Sequence, residues 1–388
     1  MIFGYVLLAL VALPTAALLL APWVVQAFYA QPEPKDPPEW PRVSVLKPVK
    51  GLDPASEAGF RSFIDQDYPD LEVIFAVEGF DDPVLPLIER LRAERPDRVR
   101  LVHSTARADV MGKANNVLAA QAAATGQVYV SADSDVIAGA RDVRRLVRAL
   151  YHRRSGSSRS VGAAGALPVY RGMEDFGAGL MGAYYSPFML ILYSLKNVFG
   201  PRDVFPGTYY AILPEALRAA GGWERISDNI ADDSTMGRYL WLAGFESVMT
   251  HVMGSVPEPR KSLREWWSHQ HRWNLTYRAT LPLGVYILEP FIHPMILAVA
   301  LPFVLPALGL APGVGWLALS GYVFARWLVI GVLNLGFLKE PALWRWLWVM
   351  PISEILLTGA WFRSLVQPVT VWRGVPYRVS RGGKLVRL

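Results

Sequence analysis

The sequence predicts an α/β domain on a largely parallel sheet, tied to a membrane by N-terminal and C-terminal helices. Three observations carry this. Between residues 43 and 135, short apolar runs alternate with segments of helical spacing, the pattern of parallel strands joined by right-handed crossovers. Long uncharged runs occupy both ends of the chain. Composition falls between two classes: 52% of the 388 residues are hydrophobic and 19% charged, with mean hydropathy +0.24. That is too apolar for a purely soluble enzyme and too charged for a pure transporter. The net charge of +6 fits cytoplasmic anchoring of a membrane protein better than nucleic-acid binding, since no basic-aromatic nucleic-acid module is visible. With no cysteine, disulfides, thiol catalysis and zinc-thiolate sites are excluded.

Met1 to Gln31 carries no charge and is long enough for a tilted membrane helix. A cleaved signal peptide would need a basic n-region, which is absent. We therefore expect a transmembrane anchor over 1–30, followed by a stiff proline-rich linker over 31–40. A soluble domain should then run from 41 to 260. Its expected strands are Val43-Ser44-Val45-Leu46, Glu72 to Glu78, Val99 to Val102, and Gln127 to Val130. Helices are expected at Ala55 to Gln66, from Asp82-Pro83 to about Glu94, and at Lys113 to Ala124. A basic helix should follow at Arg141 to Arg154.

Phe176 to Leu195 is an uncharged run of 20 residues. As a full span it would put the carboxylates at 133 and 232–233 on opposite sides of a membrane. It is therefore expected at or dipping into the interface, either as a wall for a lipid acceptor or as an ordinary buried helix. Pro206 to Ile212 reads as a turn and strand, and Asp228 to Ala243 as a helix with an acidic start.

Residues 261–282 are dense in Trp, Arg and His, which suits an amphipathic helix at the headgroup level. The transmembrane region over 283–366 should hold helices at about 287–309, 314–337 and 342–366. Arg326 and Glu354 fall near the middle of the second and third. Ionisable groups at that depth are costly and pair, so a contact between them is expected. The tail, 367–388, is basic and without carboxylates, and belongs in the cytoplasm. Three C-terminal spans would leave it on the wrong side, so one apolar segment must be re-entrant, interfacial or double.

Candidate chemistry begins at Ser131-Ala132-Asp133-Ser134-Asp135, where a buried strand ends in two carboxylates. Alone, this D-x-D could be a solvated turn. Lys47, Glu78 and the Asp133/Asp135 pair all fall at the carboxyl ends of strands, where ligands bind open α/β sheets. A divalent cation on Asp133 and Asp135 would neutralise a departing diphosphate. Asp233, with Asp232 beside it, is the candidate base for an acceptor hydroxyl. The alternative for this pair is a helix-start charge pair favoured by the macrodipole. Arg272 could grip the diphosphate in bidentate fashion, and Trp273 offers a ring to sugar or lipid. Together these fit transfer from a nucleotide-diphosphate sugar to a membrane-embedded hydroxyl.

The order Asp133-Ser134-Asp135, Asp232-Asp233 and His269-Gln270-His271-Arg272-Trp273 resembles the D, D, D, (Q/R)-x-x-R-W pattern of processive-type inverting glycosyltransferases. More closely, the chain resembles the ceramide glucosyltransferase family, glycosyltransferase family 21. Ser44 to Pro54, Asp67-Tyr68-Pro69, Asp81-Asp82-Pro83, Lys113-Ala114-Asn115-Asn116 and Trp372-Arg373-Gly374 carry that likeness.

The resemblance implies a GT-A fold over 41–260, a hexosyltransferase reaction with inversion, and a site facing the cytoplasm, here from a prokaryotic inner membrane. It implies UDP-glucose as donor, Mg²⁺ or Mn²⁺, and the bilayer and a lipid such as ceramide as partners. Uridine contacts are implied for Lys47, Pro48 and Lys113. Asp135 is implied as the direct metal ligand, with Asp133 toward the sugar or ribose. Two departures stand out: His269 replaces the usual Gln or Arg, and Glu78 lies one position before the family's first aspartate. Another UDP-sugar, a hopanoid or other lipid alcohol, and a polysaccharide synthase are the alternatives within this chemistry; a catalytically silent membrane scaffold is the alternative outside it.

Overall fold

A computed structural model describes every residue except 108–109, 153–156, 373–374 and 381. Two units divide the chain. One holds Tyr29–Val169 and Tyr193–Pro257; the other holds Met1–Phe28, Tyr170–Leu192 and Glu258–Leu388. Arg373-Gly374, part of the tail motif, and Arg153-Arg154 of the expected basic helix lie outside the described residues; the helix itself runs Asp142–Leu150 and so stops short of the expected end.

The chain opens with α1 (Ile2–Leu19) and α2 (Ala21–Tyr29), together a 28-residue apolar stretch. After the linker come β1 (Val43–Val49), α3 (Ser56–Ile64), β2 (Leu71–Glu78), α4 (Leu85–Glu94), β3 (Val99–Ser104), α5 (Gly112–Ala123) and β4 (Val128–Ala132). Next are α6 (Asp142–Leu150), β5 (Ser160–Arg171), α7 (Phe176–Phe199), β6 (Tyr209–Ile212), α8 (Pro214–Ala219), α9 (Asp232–Leu242) and β7 (Phe245–Pro257).

These strands form one seven-stranded sheet in the order β3-β2-β1-β4-β6-β5-β7. β1 is parallel to both β2 and β4, β2 is parallel to β3, and β6 runs antiparallel to β4 and β5. The first strands read as continuous apolar runs because helices cover both faces; every residue of β1 is buried. The register pairs Val49 with Val77 and Glu78 with Ser104, so three strands end level at one edge of the sheet.

Near the opposite end of β2, the Glu72 carboxylate is buried and fully used. It accepts from Ser44 Oγ (2.6 Å), from Thr125 N and Oγ1 (2.8 and 2.7 Å), and from Arg100 (2.9 Å). Burial works against its charge, yet these bonds win and hold its pKa at about 2.

The periodicity does not predict β5 or β7. β5 passes through Gly162-Ala163-Ala164-Gly165-Ala166 because its neighbours press close there. A Cβ on Gly162 would stand 2.8 Å from the Cβ of Phe245, and one on Gly165 would stand 2.9 Å from Pro206. The helix expected from Asp228 begins only at Asp232. Before it, Asn229 Oδ1 accepts from Ala231 N (2.9 Å) and closes a turn.

The remaining elements are α10 (Leu263–Thr280), α11 (Leu283–Leu288), α12 (Met295–Ala307), α13 (Pro312–Leu333), α14 (Pro341–Trp346) and α15 (Met350–Val366), then β8 (Val369–Trp372), β9 (Val375–Val379) and β10 (Leu385–Arg387). The last three form a small antiparallel sheet. α1, α12 and α13 share a core of Val11, Met295, Ala298, Leu301, Leu305 and Tyr322. A Cβ on Gly315 would stand 2.5 Å from the Pro302 backbone, so this close approach of α13 to α12 requires glycine.

Among the described residues, four helices are long and apolar enough to cross a membrane: Ile2–Tyr29, Phe176–Phe199, Pro312–Leu338 and Pro341–Val366. Leu283–Phe291 and Met295–Ala307 would make a fifth span, bent by 58°. The single helix expected over about 287–309 is thus broken. Pro290 and Pro294 flank the break; each removes an amide donor and crowds the preceding turn. Most of the Phe176–Phe199 window is buried against protein. The expected Arg326–Glu354 contact is present, with Nε–Oε1 at 2.6 Å.

Candidate active site

At the carboxyl end of β4 the chain turns through Asp133 and Asp135. The Asp133 amide donates to Thr208 O (2.9 Å), and its carbonyl accepts from Lys47 Nζ (2.5 Å). Lys47 is fully buried and its ammonium lies 4.3 Å from the centre of the Phe63 ring. Burial lowers its pKa to about 7, against the pull of Asp135 and Asp133. Lys47 therefore braces the acidic turn from behind. Its neighbour Pro48 sits within β1 opposite Ala76.

Lys113 is the second residue of α5. Its Nζ stands 2.6 Å from Asp133 Oδ1 and 4.0 Å from Asp232 Oδ2, and 3.3 Å from Gly207 O. Burial opposes its charge, but Asp133 and Asp232 outweigh it and raise its pKa. Two asparagines fix this helix start. Asn116 Nδ2 donates to Val49 O (3.0 Å), its Oδ1 accepts from Ser104 Oγ (2.5 Å), and Asn115 Nδ2 donates to Thr105 O (2.7 Å). The Lys113-Ala114-Asn115-Asn116 motif thus ties a lysine to the ends of β1 and β3.

Asp232 and Asp233 open α9, where the macrodipole favours acids. Burial raises the Asp232 pKa to about 6; Lys113 pulls it down, while Asp233 and Asp133 push it further up. Asp233 is held differently, its Oδ2 accepting from Gly207 N (3.0 Å) and its Oδ1 from Ser234 N (2.6 Å). Gly207 thus meets Asp233 through its amide and Lys113 through its carbonyl, a role no sequence pattern announced.

Asp135 reaches solvent, although protein around it and the Asp133 charge raise its pKa. Among the described residues no cation pairs with its carboxylate. Asp133 and Asp135 offer hard oxygen donors of the kind Mg²⁺ and Mn²⁺ take. Glu78, at the end of β2, lies 3.9 Å from Lys50. The Asp82 carboxylate accepts from Gly51 N (2.9 and 3.0 Å) and so fixes the loop after β1, at a glycine with φ +80°.

The other unit carries α10, begun by a capping box between Ser262 and Glu265. One turn on, a cavity of about 570 Å³ is lined by Glu258, Arg260, Lys261, Glu265, Ser268, His269, Arg272 and Val371. Burial first, then Arg272 and Lys261, hold the His269 pKa well below the usual range, so the ring is neutral. Its Nε2 is buried without a hydrogen-bond partner among the described residues, and its ring meets Trp273 edge-on at 4.5 Å. Trp273 packs on Tyr185 at 4.3 Å, and the Tyr185 hydroxyl donates to Gln270. Gln270 is wholly buried and so serves the packing of the motif.

Residues 5–385 match the family described as glycosyl transferase family 21. Ceramide glucosyltransferase 1 of Caenorhabditis elegans is 20% identical over 98% of this chain and 82% of its own length. The ceramide glucosyltransferase of Komagataella phaffii is 32% identical over 43% of this chain and 37% of its own. Among solved structures, a mannosyltransferase from Pyrobaculum calidifontis in complex with GDP-mannose and Mn²⁺ is 22% identical. It covers 93% of this chain and 99% of that one, with a TM-score of 0.54. The fold is GT-A.

Proposed function

Because the chain belongs to glycosyl transferase family 21, and so is a glycosyltransferase with apolar helices suited to a membrane, we propose that it transfers glucose from UDP-glucose, with inversion, to the primary hydroxyl of ceramide. The relatives named ceramide glucosyltransferase support glucose as the sugar and ceramide as the acceptor. The observation that carries the reading is the convergence of Asp133, Lys113 and Asp232, with Asp233 pinned beside them. In this reading residues 41–260 are the catalytic domain, 261–282 lie at the headgroup level, and the basic tail faces the cytoplasm.

Asp135 and Asp133 would hold Mg²⁺ or Mn²⁺, which when bound supplies positive charge to the diphosphate. Lys47 keeps the turn in place through the Asp133 carbonyl. Lys113 adds a fixed cation beside the donor. Asp233, its carboxylate oriented by the Gly207 amide, takes the proton of the acceptor hydroxyl. That oxygen attacks the anomeric carbon from the face opposite the diphosphate; the C–O bond to the phosphate breaks and UDP departs. Arg272 binds diphosphate oxygens.

Purified full-length protein, incubated with Mn²⁺ or Mg²⁺ and a panel of UDP-sugars against ceramide and hopanoid acceptors, tests the reading. Transfer from UDP-glucose to ceramide is expected, and Asp233→Asn should abolish it. Consumption of no UDP-sugar with any lipid overturns the proposal; transfer at the wild-type rate by Asp233→Asn removes the base.

A further inference from the structure

α6 divides its surface between two kinds of side chain. Val143, Leu146, Val147 and Leu150, spaced by three, one and three, are buried, and Arg141, Arg144, Arg145 and Arg148 repeat that spacing on the other side. With Glu33 and Asp142 the arginines line a cavity of about 490 Å³, four guanidiniums against two carboxylates. The Asp142 carboxylate is turned to the helix start, where its Oδ2 accepts from Gly139 N (2.6 Å). The Arg144 and Arg148 guanidiniums lie 4.8 and 5.8 Å from the centre of the Trp40 ring, an attraction that orders both side chains. Asp67 fixes two of the arginines, Arg141 at 3.1 Å and Arg144 at 3.2 Å. The linker meets the other two: Glu33 stands 2.7 Å from Arg145, and Asp36 pairs with Arg148. Both linker acids are exposed, and ion pairs of that kind contribute little to stability. Another anion can therefore replace them.

The linker also fixes where this face lies. Glu33 is four residues past Tyr29, the last residue of the apolar Ile2–Tyr29 stretch, and four residues reach at most about 14 Å. Arg145 is thus held close to the point where the chain leaves its membrane-suited helix, and Asp36 holds Arg148 three residues further on. An anionic bilayer surface attracts basic residues that lie within about a Debye length of it. We infer that the arginine face of α6 binds the phosphate of an anionic phospholipid in the same bilayer, and that Glu33 and Asp36 fill the site when no such lipid is present. The phosphate oxygens accept from Arg145 and Arg148 in the fork geometry that suits guanidinium groups, while Asp67 keeps Arg141 and Arg144 in place. A zwitterionic headgroup brings its own cation to a cavity that already holds four, which disfavours it. None of these residues belongs to the acidic edge of the sheet, so the site holds whichever sugar and acceptor the chain uses.

Full-length protein in phosphatidylcholine nanodiscs, with a small fraction of phosphatidylglycerol carrying a photoreactive headgroup as probe, tests this. Crosslinks should map to residues 31–40 and 141–148, and unlabelled phosphatidylglycerol should compete where added phosphatidylcholine does not. With Arg145→Gln and Arg148→Gln together, the crosslink yield at low probe fraction should fall about thirtyfold, about fivefold for each basic residue near an anionic surface. With Glu33→Gln and Asp36→Asn together it should rise about fivefold or more, because the competing carboxylates are gone. The two variants break the same ion pairs, so a merely structural role would move both in one direction, whereas lipid binding moves them oppositely. The wild-type map and the linker variant also keep the test decisive if the arginine variant fails to fold. Crosslinks confined elsewhere, a fall in both variants, or no change in either overturns the inference. Equal competition by inorganic phosphate would assign the cavity to a soluble anion and overturn it as well.

Discussion

The Arg326–Glu354 pair invites a double-mutant cycle. The charges are 2.6 Å apart, with side-chain exposures of 7% and 0%. At an effective dielectric constant near 20, their attraction is about 6 kcal/mol, set against a desolvation cost of several kcal/mol per ion. The net worth of the pair is therefore small, but its asymmetry is large. Glu354→Leu leaves a buried guanidinium uncompensated, which costs about 3–5 kcal/mol, and strips the Tyr322 hydroxyl of its acceptor, about 1 kcal/mol more. Arg326→Leu leaves the buried carboxylate unpaired, at a similar cost. The double variant replaces both ions with apolar side chains and should return to within about 2 kcal/mol of wild type, giving a coupling energy of about 3 kcal/mol or more. Unfolding in mixed micelles, followed by tryptophan fluorescence, measures all four corners of the cycle. If the double variant loses as much as the two single variants together, the ions are not coupled and the reasoning fails.

Glu72 makes stability pH-dependent. Its folded pKa of about 2 lies below the ordinary value of 4.5, so its contribution is complete above pH 4.5 and is lost as the pH falls toward 2. The loss should be about 3 kcal/mol, and Glu72→Gln should flatten acid unfolding across that window. Gly177→Ala would put a Cβ 1.9 Å from the Lys261 carbonyl oxygen, a backbone collision costing about 1–3 kcal/mol. Gly321→Ala, in the open, should show no such loss in the same thermal scan. Asp135→Asn should raise the Mn²⁺ concentration for half-maximal activity about tenfold or more, as for loss of one charged ligand; an unchanged Mn²⁺ titration would remove Asp135 from the metal site.

The parts of this fold that the sequence made legible are those where one segment suffices. β1, β2 and β4 are continuous apolar runs, so their carboxyl ends, and with them Lys47, Glu78 and Asp133, could be placed at one edge of the sheet. Arg326 and Glu354 could be paired because charge at membrane depth has few alternatives. Where two segments decide together, the signal was absent. β5 carries Gly162 and Gly165 where its neighbours press in, and small residues give no strand signature. Lys47 looked like a ligand contact from its position in β1; only the packing of Phe63 and the Asp133 carbonyl turns its ammonium inward. The break before Met295 was visible as two prolines, yet the hydropathy of 287–309 hid it.

The acidic edge of the sheet also sets a charge requirement that no single motif expresses. Asp133, Asp135, Asp232 and Asp233 supply four carboxylates, and Lys47 and Lys113 supply two ammoniums. Fully ionised, the group carries two net negative charges, the complement of one divalent cation. Burial first, and then the carboxylates of Asp233 and Asp133 against the pull of Lys113, raise the Asp232 pKa to about 6. Lys113 is the pivot of this balance, because its ammonium meets both Asp133 and Asp232. Replacing it with an uncharged residue leaves three negative charges, which strengthens attraction for a cation while removing a fixed positive charge from the donor. The two effects act in opposite directions, so the arrangement accounts for a lysine at this position better than either a neutral residue or a further acid.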